Sequence, residues 1–310
     1  MSHKELYSLT YNEKASFANV LCTTSSAAGQ IGTSLEPIFD SDHTDVVFSS
    51  NVSDDITYTA DAGTFTFSRA GIYHIVLAAV TQQETAHRLQ TFAMHLNSAS
   101  AFYTGLKQVN TGYDPVESTH QAVISIAADD VLHIQMKTGG NTATVIQGTS
   151  VIITEITSGH YASHHATAAG SNTNIDEFNP FDTNYSGNPA SYTTVTAGMT
   201  VTATDGSFTV NSAGRYLIMV TNLFVMADQS GGTSVITMKL KKGGTAFATR
   251  AVTAIAADDL AENTFCLIED LAAGDVMTAT WDTNDATAGD GVRAQKGTTF
   301  TIYKLHEQVH

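Results

Sequence analysis

Apolar and polar residues alternate with a period of two along most of this chain, and Gly, Asn and Asp interrupt the alternation. The interruptions fall about every 8 to 12 positions, which is the spacing of short strands joined by turns. Long segments with the 3.6-residue period of an amphipathic helix are lacking. The pattern therefore predicts an all-β protein built from antiparallel β-sandwiches.

The strand pattern of the first half is written again in the second half. Residues 63–80, GTFTFSRAGIYHIVLAAV, recur as GSFTVNSAGRYLIMVTNL from residue 206. In the same order, HQAVISIAADDV from residue 120 matches FCLIEDLAAGDV from residue 265, and GTSVIITEI from residue 148 matches GTTFTIYKL from residue 297. A repeat of this length indicates two tandem domains. We predict an N-terminal arm at 1–18, a first domain at 19–157 and a second domain at 158–310.

The strand that starts at Gly71, and its copy at Gly214, are largely apolar on both faces. A strand in an antiparallel sandwich that is buried on both sides needs a second layer outside its own sheet. We expect a neighbouring subunit of an oligomer to provide that layer. The predicted subunit contacts on this outer face are His74, Val76, Leu217 and Met219.

Composition and charge narrow the range of partners. The formal net charge is -16, and only 14% of the residues are charged, against about a quarter in typical domains. Lysines and arginines are mostly scattered, which argues against nucleic acid as a partner. A polar but weakly charged surface suits packing against other subunits. Apolar runs long enough to span a bilayer are lacking, so we expect no membrane partner. Cys22 and Cys266 lie at non-equivalent positions, and we expect both to be reduced.

Three elements of each repeat carry a resemblance to a known family. Phe, Gly and Tyr are spaced alike at Phe65, Gly71 and Tyr73 and at Phe208, Gly214 and Tyr216, a Gly-Asp turn occurs at Gly274, and closing strands follow Gly148 and Gly297. These elements resemble the globular head of the first complement component, whose fold is shared with the tumour-necrosis-factor cytokines. The first copy departs from the pattern at Asp129 and Val151. The resemblance implies two jelly rolls and assembly as a homotrimer.

The strand after the Gly-Asp turn is also predicted to alternate. Leu132, Ile134 and Met136 should lie in the core, as should their counterparts Met277, Ala279 and Trp281. In the family that the chain resembles, this strand lies near the three-fold axis. The polar residues between the core positions are therefore trimer-contact candidates, with a solvent-facing strand surface as the alternative: His133, Gln135, Thr278 and Thr280.

Two groups of residues have the chemistry of metal ligands. His160, His164 and His165 could offer nitrogen donors, but their flanks are Ser, Ala, Thr and Gly, and the first copy does not repeat them. We expect a flexible polar segment there. The acidic loops lack the EF-hand spacing, so solvated carboxylates are the preferred interpretation of Asp40, Asp42 and Asp45 and of Asp282, Asp285 and Asp290. We predict no cofactor and no metal.

Catalytic motifs such as G-x-S-x-G, H-E-x-x-H and the phosphate-binding glycine loop are lacking, so we do not expect an enzyme. Phages and other viruses use similar trimeric jelly rolls on their particles. We predict a structural virion protein, a trimeric phage capsid decoration (cement) protein that is made in the host cytoplasm and contacts the major capsid protein or other virion proteins. The alternative is a receptor- or glycan-binding head-fibre or tail-tip knob. Candidate capsid anchors are Tyr7, Leu9, Tyr11 and Phe17, and candidate sugar-stacking residues are Tyr103, Tyr113, Tyr185 and Tyr192.

Overall fold

The computed structural model describes residues 15–83, 88–97, 99–109, 114–170, 177–182, 192–227, 234–254, 260–283 and 291–305. Within these ranges every regular element is a strand, and the strands pair antiparallel. None of the segments described here is a helix with the length and apolarity needed to cross a bilayer. The all-β prediction is confirmed.

The first domain is a sandwich of two sheets. Its contact sheet has the order β9-β6-β12-β1-β3, with β11 also paired to β6, and its distal sheet has the order β4-β5-β10-β7-β8, with β2 paired to β10. Successive strands repeatedly cross from one sheet to the other, as in a jelly roll. The strands are β1 (Phe17–Thr24), β2 (Glu36–Pro37), β3 (Val47–Val52), β4 (Ile56–Thr59), β5 (Thr64–Phe67), β6 (Gly71–Gln83), β7 (Arg88–Leu96), β8 (Tyr103–Val109), β9 (Pro115–Ile126), β10 (Val131–Thr138), β11 (Ala143–Val145) and β12 (Ser150–Glu155).

The second domain repeats this order. Its contact sheet is β15-β13-β24-β18-β21, with β23 paired to β18, and its distal sheet is β16-β17-β22-β19-β20, with β14 paired to β22. The strands are β13 (Tyr161–Ala166), β14 (Glu177–Phe178), β15 (Tyr192–Ala197), β16 (Met199–Thr202), β17 (Ser207–Val210), β18 (Gly214–Ala227), β19 (Ser234–Lys242), β20 (Thr245–Ala254), β21 (Leu260–Leu271), β22 (Val276–Thr283), β23 (Gly291–Ala294) and β24 (Thr299–Lys304).

The change from one sandwich to the other falls between Glu155 and Tyr161, and β1 begins at Phe17, inside the segment that the sequence assigned to the arm. The alternation prediction holds in both cores. Its six predicted core positions are fully buried: Leu132, Ile134, Met136, Met277, Ala279 and Trp281.

The tyrosine of the repeated Gly-x-Tyr element makes the same hydrogen bond in both domains. The Tyr73 hydroxyl donates to the Arg69 carbonyl at 3.1 Å, and the Tyr216 hydroxyl donates to the Ser212 carbonyl at 2.6 Å. Each ring is buried while its hydroxyl satisfies a backbone carbonyl of the turn that precedes the strand. The bond fixes the entry of β6 and β18, the strands on which both contact sheets are built.

Candidate protein interaction surface

One edge of the first domain packs on the outward face of the second domain's contact sheet. The edge consists of β8 and β9, and it lies against β13, β18, β21 and β24. Val123 of β9 is buried with Ile156 and Tyr161 in a small apolar cluster separate from the two domain cores. Its partly buried members are Ile72, Val195, Ala197 and Tyr303.

Tyr103 occupies the centre of this contact. Its side chain is fully buried, and its ring stacks on that of His165 with 4.8 Å between the centroids. The Tyr103 hydroxyl lies 2.8 Å from Nδ1 of His120 and donates to the carbonyl of Gly297 at 3.4 Å. Burial raises the pKa of Tyr103 well above its usual value, so the phenol stays neutral and available as a donor.

A second set of hydrogen bonds crosses the boundary between the two domains. Nε2 of His74 lies 2.9 Å from Oε1 of Gln121, and Nε2 of Gln121 donates to the Thr221 hydroxyl at 3.3 Å. The His74 ring also meets Tyr303 edge-on, at 5.4 Å between centroids. The sequence interpretation assigned the layer over His74 to a neighbouring subunit. At this position the second domain of the same chain provides it.

An ion pair closes the rim of the contact. Nζ of Lys107 lies 3.3 Å from Oε2 of Glu262, while the backbone N–H of Thr119 donates to Oε1. Burial raises the pKa of Glu262, and the nearby Lys107 ammonium opposes that rise. Glu262 therefore depends on partners from the other domain to remain charged.

Histidines of the contact and of the second core are held neutral. Burial lowers the pKa of His74 to about 4 and that of His120 to about 3. In β13, burial lowers the pKa of His165 to about 4 and that of His164 to about 3. Each of these side chains would have to be hydrated to take up a proton.

In the part of the chain that the structure describes, the equivalent face of the first domain is exposed. Repeat alignment and strand register match Phe17, Leu21 and Ile152 to Tyr161, His165 and Thr301. Phe17, Leu21 and Ile152 are 38%, 40% and 47% exposed, whereas their counterparts are 7%, 7% and 1% exposed. Val47 of β3 is exposed beside them. We call this apolar surface of Phe17, Leu21, Val47 and Ile152 the open face.

The equivalent edge of the second domain is uncovered as well. Ile268 aligns with Val123 and is 56% exposed, against 7% for Val123. Cys266 aligns with the buried Gln121 and is exposed. The first domain covers the start of β21 at Glu262 but not Cys266 and Ile268. We call the part of β21 that carries these two outward residues, with the neighbouring β20, the free edge. Among the described residues, one face-and-edge contact is thus made inside the chain, while the equivalent face and the equivalent edge are exposed.

The predicted trimer-contact residues do not form one surface. His74, Val76, Leu217 and Met219 lie on the contact sheets, on β6 and β18. His133 and Gln135 lie on β10 and Thr278 and Thr280 on β22, in the distal sheets. The second group alternates along β10 and β22 with the buried core residues, so its side chains face away from the core of their own sandwich.

The histidine stretch is a strand, not the flexible segment that the sequence suggested. His164 points into the second core, stacked on Phe208 at 4.5 Å between centroids, while His165 points out towards Tyr103. Nδ1 of His160 contacts the carbonyl of Gly198. Alternation thus separates the nitrogen donors. Over the described ranges, no three His, Cys, Asp or Glu side chains are grouped to hold a metal ion.

The structure describes some of the acidic and aromatic candidate residues. Asp40 accepts a bond from the backbone N–H of Asp42, and Asp282 pairs with Lys239. Among the sugar-stacking candidates, Tyr103 is wrong because it is buried. Tyr192 begins β15, and Phe17 belongs to the open face. The other candidates lie outside the described residues: Tyr7, Leu9, Tyr11, Tyr113, Tyr185, Asp285 and Asp290.

Comparison with known proteins finds similarity to solved structures, without a matching sequence family. The chain matches no family model and no curated protein. Each half is a jelly-roll sandwich of two antiparallel sheets. A structure of Eiger TNF from S. frugiperda is 16% identical, with a TM-score of 0.33, and covers 49% of this chain and 95% of its own. Rabbit GITRL is 13% identical, with a TM-score of 0.27, and covers 46% of this chain and 97% of its own.

The sequence did not single out Gln121, Lys107 or Glu262, because polar residues in an edge strand are ordinary. A usable signal was the divergence of aligned outward positions. Ile152 is apolar in the first copy, where Thr301 is polar in the second. Copies that met the same surroundings would not need to differ in this way.

Proposed function

We propose that this chain is a structural, non-enzymatic virion protein. It is a phage capsid decoration protein that acts as a homotrimer and stabilises the capsid by packing on its surface. The observation that supports the proposal best is the open face. Phe17, Leu21, Val47 and Ile152 place large apolar side chains on one side of a sheet, where water would otherwise contact them. Exposed apolar patches of this kind mark protein contact sites.

The charge of the chain supports the same proposal. With 14% charged residues, its surface loses few hydrated charges when it is covered. Contact area, rather than chemistry at a site, is then the source of the stabilising effect on a capsid.

The location can be tested on particles of the phage that encodes this sequence. Antibody against the chain should label purified particles over the whole capsid in electron micrographs. Label confined to a tail tip would favour the recognition alternative, and an absence of label from particles would overturn the virion assignment. Binding to a glycan array would also count against decoration as the main role.

The attachment segment can be tested by deleting residues 2–14, which include Tyr7, Leu9 and Tyr11. The deletion stops before Ser16, whose backbone N–H donates to Glu155 and whose hydroxyl donates to Asp55. The β1 strand therefore keeps its anchor. We expect loss of capsid binding with an unchanged melting temperature, and a matched variant with Tyr7, Leu9 and Tyr11 changed to Ser should behave alike. Full binding by both variants would overturn the anchor assignment.

A further inference from the structure

We propose that the open face of one chain binds the free edge of a second copy, so that chains associate head to tail. The proposal rests on the self-assembly part of the proposed function and does not require a virion. Both surfaces are apolar at their centres, with Phe17, Leu21 and Ile152 on one and Ile268 on the other. Each surface corresponds, in the other repeat, to a surface that is buried in the contact between the two domains.

The contact inside the chain gives the register of the contact between chains. Gln121 reaches Thr221 across the domain boundary. Repeat alignment matches Gln121 to Cys266 and Thr221 to Ala78. Cys266 of one copy should therefore lie against Ala78 of the next copy.

The apolar centre of the contact follows from the same correspondence. Val123 packs with Tyr161 inside the chain, and these residues correspond to Ile268 and Phe17. Tyr103 stacks on His165, which corresponds to Leu21. At these two positions the side chains of the open face, Phe17 and Leu21, are more apolar than Tyr161 and His165. Because the contact between copies is driven by burial of apolar surface and the chains carry a net charge of -16, added salt should strengthen association by screening repulsion.

Symmetry limits the assemblies that this contact can build. A face that binds a different surface is heterologous, and it gives a closed ring or an open filament, depending on the rotation that relates neighbours. Each chain contributes two domains, so a ring held together by this contact has an even number of domains. A homotrimer of this kind is a six-domain ring.

Sedimentation of the full chain over a range of concentrations tests the proposal. We expect a mass of several times 32.8 kDa, rising with concentration up to the closed assembly. Ile268→Asp and Leu21→Asp each place a carboxylate in the apolar contact and should weaken association by about tenfold or more. Leu89→Asp is the matched control, because the exposure of Leu89, 45%, lies between that of Leu21 and that of Ile268, and Leu89 is on β7 of the distal sheet. A wild-type monomer at every concentration, or equal effects of all three variants, would overturn the proposal.

A cross-link tests the register independently of affinity. In Ala78→Cys, a short bismaleimide should join the new thiol to Cys266 of another copy and give covalent multimers on a denaturing gel. The double variant Ala78→Cys, Cys266→Ser and the variant Leu89→Cys should give none. Multimers that persist without Cys266 would contradict the predicted register. If antibody labels the capsid but the chain stays monomeric, this contact is wrong and the virion role stands. If the chain forms multimers but antibody does not label the capsid, the virion role is wrong and this contact stands.

Discussion

The phenol ring of Tyr103 stacks on the imidazole of His165 from the other domain, at 4.8 Å between centroids and 22° between planes. Both side chains are buried, and the Tyr103 hydroxyl bonds to His120 of its own domain and to Gly297 of the second. One side chain thus contributes apolar area and a buried hydrogen-bond donor to the same boundary. The cohesion of the two domains should therefore be unusually sensitive to changes at this position.

Changing Tyr103 in two ways separates the ring from the hydroxyl. Tyr103→Phe keeps the stacking but leaves Nδ1 of His120 and the Gly297 carbonyl without this partner, which we expect to cost about 1 to 2 kcal/mol. Tyr103→Ala also removes the ring and leaves a cavity, and should cost about 3 to 5 kcal/mol. Urea unfolding of both variants measures the difference. Equal losses would show that the ring contributes nothing beyond its hydroxyl.

Gly297 and Gly148 form a matched pair in the two repeats. Both have positive φ, +97° and +99°, so alanine strains both backbones alike. A Cβ on Gly297 would lie 2.7 Å from Cα of Gly105 in the other domain, whereas on Gly148 its nearest neighbour would be Val80 at 3.6 Å. We expect Gly297→Ala to lower the melting temperature by several degrees more than Gly148→Ala. Similar decreases in melting temperature for the two variants would mean that the domain boundary can accommodate the extra Cβ without loss of stability.

Much of the architecture follows from local pattern. Alternation placed Ile134 and Trp281 in the cores because a strand sends successive side chains to opposite faces. The repeat then required that both halves have the same fold. These inferences needed no knowledge of how the halves meet.

The domain contact could not be predicted in the same way. The sequence makes Tyr103 a candidate for stacking on a sugar, but the second domain buries it. The sequence predicts a flexible segment at His164 and His165, but pairing of β13 with β24 and contact with the first domain bury both. Burial by a distant part of the chain leaves no periodic trace in the buried segment itself.

The ion pair between Lys107 and Glu262 should cost more to break from one side than from the other. Lys107→Ala leaves Glu262 as a buried carboxylate without its cation, which we expect to cost about 3 kcal/mol or more. In Glu262→Gln the neutral amide can still accept the bond from Thr119, so the loss should be about 1 kcal/mol. Denaturant unfolding at pH 7 compares them, and the double variant should recover most of the Lys107→Ala loss. An additive double variant would show that the two side chains are not coupled.

Acid should destabilise the fold through its buried histidines. Burial lowers the pKa of His74 and of His165 to about 4 and that of His120 to about 3, from an ordinary value of 6.5. Between pH 6.5 and about 4 the unfolded chain binds protons that the folded chain does not. Stability should therefore be constant with respect to these groups above pH 6.5 and fall as the pH drops, by up to about 1.4 kcal/mol per pH unit for each histidine.

His74→Leu isolates one of these groups, because leucine occupies the same position in the second repeat as Leu217. The variant removes one titrating side chain, so its free energy of unfolding should fall less steeply between pH 6.5 and 4. The difference in slope should be at most about 1.4 kcal/mol per pH unit, which corresponds to one proton. Above pH 7 the change should be a loss that does not vary with pH, of about 1 to 2 kcal/mol, from the missing bond to Gln121 and the missing ring contact with Tyr303. Urea midpoints at closely spaced pH values provide both slopes. Parallel curves for the two proteins would mean that His74 does not take up a proton on unfolding, and that the acid sensitivity comes from the other buried imidazoles.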